Sequence, residues 1–200
     1  QCNPEYRLRT ESPLILWEMI REQELADGLT NLTIDPHIVS WLDGNNDLDH
    51  WLVGRVNVLR PSFSLKSWCI SNYKKQITSR LKNNDPCRVY LDTEDKLLAQ
   101  AFATTLAKQV GIAVALYSIE SLPADLVYRF SVHIQRQSFL DRCAPLLTEE
   151  QQELSQPNGI ASFPLQFIIG SPKVRDIDRD CNDIVVKFPS LTNLDRKLIW

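Results

Sequence analysis

Asp92, Glu94 and Asp95 put three carboxylates within four residues, between a short apolar run and the start of an amphipathic pattern. Ligands of open α/β sheets bind where strands end and helices begin, so acids at such a place suit a divalent metal or a general base and repel a phosphate. Acids in a first helical turn also serve stability alone, by capping free N–H groups and matching the helix dipole, and that is the stronger reading. No glycine-rich loop precedes the helix, which excludes the Walker and dinucleotide-binding fingerprints.

The other chemical residues form no signature. Asp176, Asp178, Asp180 and Asp183 begin with the alternation of a calcium loop, but Cys181 stands where that loop needs glycine and Lys187 where it needs glutamate. With Arg175 and Arg179 among them, these acids read as a solvated loop between strands. Asp43, Asp47 and Asp49 follow no ligand spacing and read as helix caps. The three histidines, His37, His50 and His133, form no metal-binding pair. Ser171 lies in Gly170-Ser171-Pro172, and Pro172 lacks the N–H that an oxyanion hole takes from the residue after a nucleophile. Five dispersed cysteines without a CxxC pair favour free thiols in a reducing, cytoplasmic compartment over disulfides or zinc. Neither metal nor cofactor is expected.

A basic feature stands beside the acidic one. Lys66, Lys74, Lys75, Arg80 and Lys82 occur with no acid among them, interleaved with Trp68 and Tyr73, and Arg88 follows. On a helix, such residues suit contacts to nucleic-acid phosphates. The competing reading is a solvated face opposite the stripe Leu65, Cys69, Tyr73, Ile77 and Leu81. A net charge of -3 argues against a whole surface built to hold nucleic acid or anionic membrane, and no apolar run is long enough to span a bilayer.

The elements that must position these residues are clearest from Arg88 to Ser118. Arg88–Asp92 reads as a strand, Glu94–Val110 as a helix begun by Asp92 or Thr93, and Ile112–Tyr117 as an apolar strand covered on both faces. Leu97, Leu98, Ala101, Phe102, Leu106 and Val110 form the helix's buried stripe, and Gly111 ends it. Two neighbouring strands joined by a crossover helix are therefore predicted.

Residues 1–83 read as a helical subdomain, with helices from Ser12 to Asp27, His37 to Leu42, Leu48 to Leu59 and Ser64 to Lys82. Residues 84–200, after the turn cluster Asn83-Asn84-Asp85-Pro86, read as an α/β subdomain with a mixed sheet. In it, the alternation Leu126, Tyr128, Phe130, Val132, Ile134 predicts a half-exposed strand with His133 on its polar face. A helix beginning at Phe139 and interrupted by Pro145, a capping box at Thr148–Gln151, and strands at Leu165–Ile169 and Ile184–Phe188 complete it. The expected fold is α+β, a helical N-terminal half packed against a small mixed sheet containing a β-α-β unit. The expected function, by elimination, is a noncatalytic protein-interaction or adaptor module of a larger assembly. Its alternatives are nucleic-acid binding through residues 66–82 and a metal-dependent hydrolase or nuclease using the carboxylates near residue 92. Leu191–Trp200 is the segment expected to dock on the core or on a protein partner.

Overall fold

The sheet is built around the segment that the apolar pattern marks best. In the computed structural model, which describes residues 12–25, 29–119, 122–172 and 182–199, β4 (Cys87–Asp92), α4 (Lys96–Gln109) and β5 (Ala113–Tyr117) form a β-α-β unit. Phe102 and Leu106 are buried, and Gly111, at φ 75, takes the left-handed turn that stops α4. Asp95, not Asp92 or Thr93, is the N-cap, accepting from the Leu97 and Leu98 N–H groups at 3.0 Å each.

The remaining elements are α1 (Pro13–Leu16), β1 (Ile20–Glu24), β2 (Thr30–Ile34), α2 (Pro36–Leu42), β3 (Val56–Leu59) and α3 (Ile70–Lys82) before the unit. After it come α5 (Ala124–Asp141), β6 (Cys143–Thr148), a 3-10 helix (Glu149–Ser155), β7 (Leu165–Ile169), β8 (Asn182–Lys187) and α6 (Asn193–Ile199). Strand order in the six-stranded sheet is β3-β5-β6-β7-β4-β8, with β3 antiparallel to β5 and all other pairs parallel. The fold is thus α+β with a mixed sheet. β4 and β5 are not neighbours as predicted, because β7 and β6 lie between them. Sequence adjacency cannot reveal that two later strands insert into a crossover.

The sheet is covered on both faces, and successive residues divide between the two cores. Val114, Ala144 and Leu146 join α3 and α4 residues such as Ile77, Phe102 and Leu106 in one core. Their neighbours Ala115, Tyr117, Cys143 and Leu147 join Phe130 and Ile134 of α5 in the other. β3 and α3, which precede Asn83, belong to these same layers.

Five predicted elements are corrected. The first helix ends at Leu16; Glu18 turns the chain at φ 48, and β1 pairs antiparallel with β2. Arg21 to Glu24 offer no apolar stripe for a helix to bury, whereas Thr30, Thr33 and Ile34 are β-branched. The helix predicted over Leu48–Leu59 is a series of turns followed by β3, since Gly54 adopts φ 74 and Val56 and Val58 suit an edge strand. α3 starts at Ile70 and not at Ser64.

The strand predicted over 126–134 is the middle of α5, which also absorbs the start of the helix placed at Phe139. Leu126, Phe130 and Ile134 lie at helical as well as alternating spacing, and all pack, with Val127, into the α5-side core. The polar residues between them are buried by other segments: Ser131 and Gln135 donate to the Leu154 and Ser155 carbonyls of the 3-10 helix, and Gln137 accepts from the Asp49 N–H. The capping box at Thr148 and the strand at Leu165 are present as predicted, and β8 contains most of the last predicted strand.

Candidate functional site

The first place to look is set by topology. From β4 the chain runs through α4 to β5, beyond two intervening strands, while from β7 it passes to β8 on the far side of β4. The carboxyl ends of the parallel strands β4 and β7 lie side by side, at the edge where ligands of open sheets usually bind. Asp92 ends β4 there and accepts a 2.7 Å hydrogen bond from Ser171 Oγ, beyond β7. The Gly170 N–H donates to the Leu91 carbonyl at 3.0 Å, and the Asp95 N–H to Thr93 Oγ1 at 3.1 Å. A Cβ on Gly170 would lie 2.7 Å from a Glu149 carboxylate oxygen, so a third strand end also brings an acid to this edge.

Of the predicted acids, Asp92 and Asp95 therefore hold the chain's own groups, and all three, with Glu94, are exposed. The helix N–H groups that would bind an anion already donate to Asp95. Among the described residues, no group of three or more His, Cys, Asp or Glu is arranged to hold a metal ion. In the predicted calcium-like set, Asp183 pairs with Arg88 at 2.9 Å, while residues 176–181 lie outside the described residues.

The basic residues separate into two groups. Lys74, Lys75 and Lys82 are exposed on α3, Arg80 is half-buried, and Lys66 is exposed in the turn before the helix. Arg88 is withdrawn from this surface: it is 1% exposed in β4, and its guanidinium holds Asp183 and the Gln156 side-chain carbonyl. A guanidinium so enclosed has no face left for a phosphate.

The densest polar cluster was not foreseen. All three histidines converge on Asp49, with His133 Nδ1 at 2.7 Å, His50 Nδ1 at 3.5 Å and His37 Nδ1 at 3.7 Å from its carboxylate. Asp49 is fully buried, and His133 lies on α5 and not on a solvent-facing strand. Arg136, one helical turn on, donates to both Asp49 and Asp35 and, through Nη1, to the Glu18 carbonyl at 2.9 Å. Glu18 places a carboxylate oxygen 3.5 Å from His133 Nε2, and Arg129 binds the other oxygen at 3.1 Å. Trp51 stacks on the His133 ring at 5.6 Å.

This surrounding moves the titrations. Burial pushes Asp49 up, but hydrogen bonding and charge from His133, charge from Arg136 and the Trp51 N–H outweigh it and hold the carboxyl well below its ordinary range. Glu18 is likewise raised by burial and lowered overall by His133 and Arg129. His133 is lowered by burial and raised overall by its hydrogen bonds to Asp49 and Glu18. Elsewhere, burial pushes the Cys143 thiol up to about 12, which makes it a poor nucleophile.

Beside the cluster, at the carboxyl end of β5, an open cavity of about 580 Å³ is walled by His50, Trp51, Arg55, Ser118 and Phe130. The Arg55 guanidinium stacks over Phe130 at 4.8 Å.

No family model matches this chain, and no curated protein matches it. Among solved structures, that of Rhizobiales Trip13 is similar at 17% identity and a TM-score of 0.30, over 58% of this chain and 54% of that one. A likeness that remote carries no functional argument.

Proposed function

We propose that this chain is a noncatalytic protein-interaction module of a larger assembly. The observation that carries the reading is that the groups at the carboxyl ends of β4 and β7 satisfy one another: Asp95 accepts the helix N–H groups, Asp92 holds Ser171, and Glu149 lies against Gly170. A site of this kind stabilises the sheet edge and gives an anionic ligand nothing to displace cheaply. Apolar side chains presented to solvent support the same reading. Leu194 and Leu198, 74% and 63% exposed, project from α6, whose other side packs Ile199 on the core. The C-terminal segment thus both packs on the core and exposes an apolar face, and Trp200 lies outside the described residues.

A two-part experiment tests this. Thermal unfolding with millimolar magnesium and nucleoside triphosphate is expected to show no shift, since a ligand held at 100 times its Kd would add about 2.7 kcal/mol. Cross-linking in the native host, followed by reconstitution with the purified partner, is expected to show binding that Leu194→Asp/Leu198→Asp abolishes without lowering Tm. A nucleotide-dependent rise in Tm, or binding indifferent to both leucines and to every other exposed apolar group, would remove the proposal.

Nucleic-acid binding by α3 is the second reading, favoured by the exposure of Lys74, Lys75 and Lys82 along one acid-free helix. It requires affinity that falls steeply with salt and drops further in Lys74→Ala/Lys75→Ala. A reducing, cytoplasmic setting is part of the proposal, supported by free thiols at Cys69, Cys87 and Cys143. No helix among the described residues is long and apolar enough to cross a membrane.

A further inference from the structure

We infer that Glu18, Asp49 and His133 form a proton-sensitive clamp that fixes the β1–β2 hairpin to α5. The hairpin needs such a clamp. All of β2 is exposed, the pair forms its own two-stranded sheet, and an isolated pair of strands is marginally stable in water. What holds it is its base. Glu18, two residues before β1 begins, is a non-glycine residue at φ 48, a conformation that persists only where its surroundings impose it. Those surroundings are one face of α5: Arg129 and His133 hold the Glu18 carboxylate, and Arg136 holds its carbonyl. Asp35, at the other foot of the hairpin, receives Arg136 and Arg21 at 3.2 Å each, and its N–H donates to the Met19 carbonyl at 2.9 Å.

His133 can bond in two ways, and its charge selects between them. Protonated, Nδ1–H donates to Asp49 and Nε2–H faces Glu18, so the ring joins the two carboxylates. Neutral, with its hydrogen kept on Nδ1 by the Asp49 carboxylate 2.7 Å away, it turns a bare Nε2 lone pair toward the Glu18 carboxylate and lets go of the hairpin's base. The groups facing this ring come from every element packed on it. They are Arg129 and Arg136 on α5, Asp49 and His50 in the loop after α2, and Glu18 at the hairpin's entry. One layer further out stand His37 on α2, Asp35 at its cap and Arg21 on β1. Trp51 stacks over the ring and keeps it from water.

His133, raised in the fold, contributes stability that is complete below its ordinary 6.5 and is lost as pH climbs through the raised value. Glu18 and Asp49, lowered in the fold, contribute above their ordinary 4.5 and 3.8, and lose that contribution as pH falls through their lowered values. The clamp is tightest between these limits and loosens on the alkaline side, where the carboxylates stay charged and only the histidine changes.

Amide hydrogen exchange on the intact chain at pH 6 and pH 8, corrected for intrinsic rates, tests it. Protection of Ile20–Glu24 and Thr30–Ile34 is expected to fall about threefold to tenfold at the higher pH. Protection in α4 should not change. His133→Gln should flatten the hairpin's profile. If that variant does not fold, Glu18→Gln and the NMR titration of the His133 ring decide. The ring should titrate above 6.5 in step with the hairpin amides, and Glu18→Gln should lower its midpoint. Hairpin protection indifferent to pH, a ring midpoint at or below 6.5, or hairpin changes tracking His37 or His50 instead would each overturn the clamp.

Discussion

The β4–α4 junction and the Asp49 cluster use the same side chains to opposite ends. At the junction, Asp92 and Asp95 are exposed, and the bonds of Asp95 stay within three residues. Around Asp49, partners lie up to 88 residues away and Asp35, Asp49, His133 and Arg136 are all nearly or fully buried. In water each carboxylate has alternatives, so losing a partner costs little. Deprived of water, each group depends on its neighbours, and one protonation or substitution disturbs them all. A carboxylate's place in sequence therefore says less about its role than the dielectric around it.

Substitutions can break or sharpen that contrast. Asp49→Ala leaves His133 and Arg136 buried without their shared anion and should cost about 3–5 kcal/mol, measured by urea unfolding at pH 6. A double-mutant cycle with His133→Ala should show strong coupling. Gly170→Ala, at φ 128 and with Glu149 in the path of its Cβ, should cost about 1–3 kcal/mol. Shortening the acid in Gly170→Ala/Glu149→Ala should recover part of that loss. Asp95→Ala removes only a cap and should cost about 1 kcal/mol, with exchange confined to the first turn of α4. Lys74→Ala/Lys75→Ala should stay within about 0.5 kcal/mol of the parent. A loss at Asp95 matching that at Asp49 would erase the distinction between the two regions.

Local physics made part of this legible. The α4 stripe from Leu98 to Leu106 with its stop at Gly111, the short helix at His37–Leu42, the Thr148 capping box and the apolar β5 all depend on residues within one or two turns, and all are present; Leu97, placed on that stripe, is instead 68% exposed. Leu126–Ile134 defeated the same approach because its spacing satisfies both periods, and only burial of Ser131, Gln135 and Gln137 by distant segments favours the helix. The Asp49 site was equally hidden. His37, His50 and His133 are isolated in sequence, and the one available signal was that Asp49 and His50 adjoin the aromatic Trp51.

By itself, the sequence determined where the β-α-β unit lies and that Gly111 stops its helix, since those follow from side-chain period and from backbone groups satisfied a few residues away. The tertiary structure decided that β7 and β6 separate β4 from β5, that α5 is a helix, and that three scattered histidines meet one aspartate. These depend on which surfaces lose water when distant segments pack, and no local pattern encodes that.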